Sequence, residues 1–225
     1  MRPMEQTSDH IRACYDAVAR EYAERFADEL THKPLDRELL SRFASEVSGR
    51  GEVYDLGCGP GQTTAFLHAR GASVRGLDLS ADLVCEARQR HPDIEFEQGD
   101  MLALPLADDS LAGVVAFYAI VHLSPARLRR ALEEMHRVLR PGGRLLMAFH
   151  IGKGSIHVDE FLGRPISLDF VFFSPQDVAS ELIQAGFVAV ETIERDPYAE
   201  VEYPSRRAYL FARKPERHGE ASGPA

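Results

Sequence analysis

The sequence lacks most of what marks a disulfide-stapled, membrane-spanning or nucleic-acid-binding protein. Cysteine is scarce: Cys14, Cys58 and Cys85 stand alone among 225 residues, an odd number with no CxxC pair. That composition excludes a disulfide framework and a zinc-finger type of site. A reducing cytoplasm is the expected setting. Long apolar runs are missing too. The longest, residues 111–123, is too short to cross a bilayer. The opening residues, MRPMEQTSDH, have no apolar core of a secretory signal. Neither a membrane nor a signal peptide is expected, and no internal repeat is present. Positive charge is in the minority, with 26 Lys and Arg against 35 Asp and Glu and a net charge of -9. Phosphate backbones are gripped by Lys and Arg, so no nucleic-acid partner is expected. The basic run Arg127, Arg129 and Arg130 reads as a solvated helix face. His157, Asp159 and Glu160 make a charged group, but HxDE is not a metal-binding spacing, and no metal is expected.

What is present is periodicity. Ile11, Tyr15, Val18, Tyr22 and Phe26 recur at helical spacing, with Ser8 or Asp9 as cap. A second helical pattern runs over 35–47. Residues 1–50 therefore read as a helical cover. From residue 51 the texture changes to short β-rich runs alternating with helices, up to about residue 213. That alternation predicts parallel βαβ units in one doubly wound α/β sheet. The link between the last two strand patterns carries no apolar helix and is broken by Pro197 and Pro204, so those strands should pair antiparallel. Residues 151–174 exceed a normal connection and predict a substrate loop, with the apolar run LDFVFF as a pocket wall. The polar tail, 214–225, reads as disordered.

In an open α/β sheet a ligand lies at the carboxyl ends of the strands. The first strand of this sheet runs into DLGCGPGQTT, where Gly57, Gly59 and Gly61 allow a sharp turn and a close backbone approach. The dinucleotide pattern G-x-G-x-x-G fails here, because its third glycine position holds Gln62. Asp55, just before the loop, would repel a pyrophosphate and attract an ammonium or sulfonium charge. A dehydrogenase is disfavoured on both counts.

VYDLGCGPGQT resembles the first motif of the class I S-adenosylmethionine-dependent methyltransferases. Further pieces follow in order: GLDLS at Asp78, QGDML at Asp100, VVAFYAIVHL over 114–123 and VLRPGGRLLMAF over 138–149. The resemblance spans about residues 15–211. It implies a Rossmann-like seven-stranded sheet of order 3-2-1-4-5-7-6 with strand 7 antiparallel, and S-adenosyl-L-methionine as cofactor. It also implies roles. Asp78 would take the ribose hydroxyls and Asp100 the adenine amino group, with Met101 beside the ring. Leu79 and Leu102, in the same motifs, and Phe117 join that list. Tyr15 and Tyr22 would reach the methionine end of the cofactor. Cys58, inside the glycine loop, is counted with it as a small apolar filler. For the reaction itself the candidates are His122, after the fourth strand, and His150, at the end of the fifth. The expected acceptor is a small molecule methylated at oxygen or nitrogen, handled by a monomer or homodimer. The alternatives are a methyltransferase acting on protein or RNA, and a cofactor-binding protein without turnover.

Overall fold

The computed structural model describes residues 6–217. In chain order it contains α1 (Ser8–Phe26), a 3₁₀ turn (Glu29–His32), α2 (Pro34–Val47), β1 (Glu52–Leu56), α3 (Gln62–His68), β2 (Ser73–Asp78) and α4 (Ala81–Arg90). Then come β3 (Phe96–Gln98), β4 (Leu111–Phe117), α5 (Pro125–Val138) and β5 (Leu139–His150). The chain continues through β6 (Ser155–Phe161), β7 (Arg164–Val171), α6 (Pro175–Gln184), β8 (Val188–Arg195) and β9 (Arg207–Arg213). Seven strands form one sheet in the order β3-β2-β1-β4-β5-β9-β8. Neighbours from β3 to β5 are parallel, and β9 runs antiparallel to both β5 and β8. This is the expected order, with β9 and β8 as strands 7 and 6.

The sheet is apolar because both faces are covered. Every residue of β4 is buried, as a central parallel strand requires. On one face α5 and α6 pack Leu128, Leu132, Val178 and Leu182 onto the sheet. On the other, α2 presents Leu39, Leu40, Phe43 and Val47 to Val53, Val115, Leu146 and Phe211. Burying a side chain such as Phe43 contributes about 1.5–3 kcal/mol. Helix starts follow local chemistry. Ser80, Ser124 and Ser174 cap α4, α5 and α6, and Pro opens α5 and α6 at positions that need no N–H donor.

Four expectations need correction. The cap of α1 is Thr7, whose hydroxyl accepts from His10 N, because Ser8 is turned to Asp100 instead. The helical cover is α1 with the turn that follows it; α2 is part of the sheet's own packing. Residues 151–174 are not a loop but largely a two-stranded hairpin, β6–β7, separate from the main sheet. The tail is ordered for longer than expected. Lys214 Nζ donates to Asp109 Oδ1 at 2.7 Å and to the His136 carbonyl at 2.8 Å, and Arg217 also pairs with Asp109. The remainder of the tail, 218–225, lies outside the described residues.

A buried ion cluster moors the 196–206 segment to the sheet. Arg195 meets Asp36 at 2.9 Å and Glu202 at 2.6 Å, with side-chain exposures of 9%, 0% and 2%. Tyr209 OH also donates to Asp36 at 2.5 Å. Removing one member leaves the others charged and uncompensated. Arg195→Met is therefore expected to cost about 3–5 kcal/mol of stability, read as a lower urea midpoint. A midpoint equal to the parent's would show the cluster to be neutral for stability.

Candidate active site

The carboxyl ends of β1, β2, β4 and β5 open into one cavity of about 960 Å³. The glycine loop is its floor, α1 its roof and the β6–β7 hairpin one flank. Hydrogen bonds to the strand ends hold the roof. Ser8 donates to Asp100 Oδ2 at 2.6 Å, Ser80 to Asp16 Oδ1 at 2.5 Å, and Tyr15 OH to His122 Nε2 at 2.8 Å.

The floor turns sharply. The N–H groups of Gly57 and Cys58 both donate to the Leu77 carbonyl, at 2.7 and 3.1 Å. Gly57 has φ +69°, and a Cβ there would lie 2.6 Å from Ala119 Cβ. Only glycine fits both demands. Asp78, at the end of β2, accepts from Gly59 N at 2.8 Å and Ser80 N at 2.9 Å. Asp55 accepts from Thr64 Oγ1 at 2.7 Å. Both carboxyls are buried, and no cationic side chain meets either among the described residues. Burial raises both pKa values, and Asp55 is pushed up to about 7 by burial and by the neighbouring Asp78. Two lone buried carboxyls beside an open glycine floor suit a ligand with a cationic end and hydroxyls to donate.

The fit implies a pH dependence. A cation binds the ionised form of Asp55, which forms above its pKa. Affinity for S-adenosylhomocysteine should be flat well above pH 7 and fall as pH drops below it, approaching about tenfold per unit. The slope should vanish in Asp55→Asn. Calorimetry from pH 5.5 to 8.5 checks this; a flat wild-type profile would take Asp55 out of the site.

Tyr15, Tyr22, Asp55, Gly57, Cys58, Gly59, Asp78, Leu79, Asp100, Met101 and Phe117 all line the cavity, and so do His122 and His150. Tyr22 stands 3.6 Å from where a Cβ on Gly59 would sit. Gly61 and Leu102 do not line it. Gly61 (φ +87°) starts α3, and a Cβ there would strike Phe96 at 2.8 Å. Leu102 packs on the core, while its N–H donates to Asp100 Oδ1 at 2.9 Å. Cys58 packs with Val84, Ala87 and Phe96, as a filler should.

His122 is 9% exposed. Its Nδ1 lies 2.8 Å from the Asp169 carbonyl. A carbonyl only accepts, so Nδ1 carries the proton and Nε2 offers its lone pair to the Tyr15 hydroxyl. Burial holds the His122 pKa down at about 4, so the ring is neutral near pH 7. His150 bonds Ser205 through Nδ1 at 2.8 Å. Burial, then Arg207, lowers its pKa to about 3.

Several wall residues were not singled out in the sequence. Lys33 comes from the segment before α2, Glu202 and Tyr203 from the link into β9, and Arg207 from the start of β9. Arg127 was read as solvated, yet it lines the cavity and donates to Ser8 Oγ at 2.5 Å and to the Gln6 carbonyl. Its neighbours Arg129 and Arg130 do lie on the exposed side, paired with Glu181 and with Glu133 and Glu134. The signal missed was helical phase: Arg127, in the first turn of α5, points to the strand ends.

Residues 53–143 match the family profile described as "Methyltransferase domain". A demethylmenaquinone methyltransferase of Beutenbergia cavernae is 37% identical over 141 residues, which cover 61% of this chain and 57% of that protein. The chain thus spans little more than half the length of that curated relative. Among solved structures, an S-adenosylmethionine-dependent methyltransferase from Mesorhizobium loti superposes with TM-score 0.59 at 25% identity, covering 75% of this chain and 93% of that one. The [4+2]-cyclase SpnF superposes with TM-score 0.70 at 18% identity, covering 94% and 98%, a likeness of fold alone. By motif order, fold and these relatives, residues 53–143 are similar to the methyltransferase domains of class I S-adenosylmethionine-dependent enzymes. No helix among the described residues is long and apolar enough to cross a membrane.

Proposed function

We propose that the protein transfers a methyl group from S-adenosylmethionine to an oxygen or nitrogen of a small-molecule acceptor. The observation that carries this is one cavity at the strand ends holding both the motif carboxylates and a neutral His122–Tyr15 pair. The cofactor supplies an electrophilic methyl on a sulfonium. The chain supplies place and proton handling. Asp55 would hold the ammonium end, Asp78 the ribose and Asp100 the adenine edge, with Met101 and Phe117 against the rings. α1 and the hairpin exclude water and fix the acceptor in line, which supplies much of the acceleration. For a hydroxyl acceptor, His122 Nε2 would take the O–H proton, directly or through Tyr15, while the oxygen would gain the methyl carbon as the S–CH₃ bond breaks and its electron pair stays on sulfur, leaving a neutral thioether. The cavity is walled on the hairpin side by Ile156, Val158, Phe161 and Phe170, which suits a compact and partly apolar acceptor. In this reading the protein works in the cytoplasm as a monomer or homodimer, with neither nucleic acid nor membrane as partner.

Calorimetric titration with S-adenosylmethionine and S-adenosylhomocysteine tests the cofactor half. A screen of small acceptors that detects S-adenosylhomocysteine as product tests turnover. Micromolar binding with product from at least one acceptor is expected. A folded sample that binds neither ligand would refute the reading. Binding without product across the screen would leave a cofactor-binding protein instead.

A further inference from the structure

The half of the cavity farthest from the glycine loop has a character of its own. Arg207, at the start of β9, is 2% exposed and Lys33 is 7% exposed, yet both line the cavity. Three cations converge on one carboxylate there: Glu202 lies 2.6 Å from Arg195, 3.5 Å from Lys33 and 3.8 Å from Arg207. Arg195 has a second carboxylate in Asp36, and Lys33 has one in Glu29 at 2.5 Å. Arg207 has no other among the described residues. Its Nη atoms spend their hydrogen bonds on Ser205 and the Tyr203 carbonyl. Its buried Nε has no hydrogen-bond partner among the described residues. Charge is balanced in the cluster, three cations against Glu202, Asp36 and Glu29, but a buried guanidinium with an unpaired N–H is costly unless an acceptor completes it.

Flat faces surround the spot. The His150 ring stands 5.5 Å from Tyr118, 6.1 Å from Phe172 and 6.3 Å from Tyr203. Tyr118 itself has φ +57°, a left-handed backbone that a bulky residue adopts only when held there. It is held by its N–H on the Ala148 carbonyl at 2.8 Å and its hydroxyl on Asp36 at 3.1 Å. The turn leaves its ring between Lys33 Nζ, at 5.0 Å, and the Arg207 guanidinium, at 5.9 Å. β9 is three strands from β1 in the sheet, so Arg207 stands about 14 Å across from the glycine loop.

We infer that this end of the cavity is an acid-anchoring subsite: the acceptor is a planar or aromatic molecule whose carboxylate is held by Arg207 and Lys33. The acid group is then the handle and not the nucleophile. The span to the cofactor side leaves room for roughly one ring and a short arm, which puts a hydroxyl or amine of the acceptor near His122 and Tyr15. The inference rests on the methyltransferase reading for the second ligand, but the anchor itself needs no cofactor.

The test compares acids with their neutral amides. Benzoate, 4-hydroxybenzoate and 4-hydroxycinnamate, and the three matching carboxamides, are titrated into the full chain by ligand-observed NMR and calorimetry. Each titration is done without cofactor and again with S-adenosylhomocysteine present. At least one acid should bind about tenfold or more tightly than its amide, a preference expected of a charge-assisted pair. Arg207→Gln should reduce that preference to under about twofold, and Lys33→Met, which leaves the Arg207 bonds in place, should reduce it in part. Each variant is first shown to melt cooperatively. Equal affinity for acids and amides, no binding by any acid, or a preference that survives in folded Arg207→Gln would overturn the inference. Failure of S-adenosylhomocysteine to bind would instead strike at the methyltransferase reading, since the acid preference is read in its absence.

Discussion

His122→Asn should lower kcat by about 10²–10⁴-fold for a hydroxyl acceptor, the usual worth of a positioned general base. Asparagine is chosen because its Nδ2 can take the place of imidazole Nδ1. The bond to the Asp169 carbonyl, 2.8 Å in the parent, is thereby kept, and with it the seat of the hairpin. What is lost is the Nε2 lone pair that faces Tyr15. KM for the acceptor and Kd for the cofactor should hold within about threefold, because that pattern marks an interaction made in the transition state. The pH profile should also be informative. With a His122 pKa held near 4, the ring is an unprotonated base across the neutral range. The acid limb assigned to it should lie near pH 4, well below any limb due to Asp55. Normal turnover in a folded His122→Asn protein would return His122 to a packing role. His150→Asn should differ, raising acceptor KM more than it lowers kcat, since His150 stands at the far end of the cavity.

Asp78→Ala should weaken S-adenosylmethionine binding by about 1–3 kcal/mol, the cost of losing charge-assisted hydrogen bonds to the ribose. The same substitution does a second thing. The Gly59 and Ser80 N–H groups both donate to this carboxylate, and alanine strips them of their acceptor. Stability should fall as well, by about 1–3 kcal/mol for each donor left buried and unsatisfied. Asp78→Asn separates the two effects. Its carbonyl oxygen can still accept one of those N–H groups, while its charge is gone. Calorimetry and urea melts on both variants therefore read affinity and stability apart. An Asp78→Ala protein with unchanged affinity would remove this residue from the ribose site.

The α/β order, the antiparallel end and the glycine floor were legible in the sequence because each depends on short-range signals. Apolar runs mark buried strands, Ser-Pro pairs mark helix starts, and glycines mark turns that no other residue can make. The hairpin β6–β7 was read as a loop because its burial pattern hardly alternates: residues of β6 are mostly exposed and do not announce one apolar face. The cavity residues of the glycine floor and strand ends were reached through local motifs, with Gly61 and Leu102 set behind the wall by the turn they help to build. The acid end was not found. Lys33, Glu202 and Arg207 are far apart in the chain, and only the pairing of β9 with β5, which sets Arg207 opposite His150, brings them together. Charge pairs of that kind leave no periodic trace.

The position of β9 has a consequence for biogenesis. It is the last strand of the sheet in chain order, yet it lies inside the sheet, between β5 and β8. As the polypeptide leaves the ribosome, β5 must wait with an unpaired edge until residues 207–213 have emerged. During that interval a strand bearing Leu145, Met147 and Phe149 presents a template to any passing chain. Completion of the cavity wall at Arg207 and closure of the sheet are then one event, so a nascent chain loses the open β5 edge in the same step that finishes the cavity.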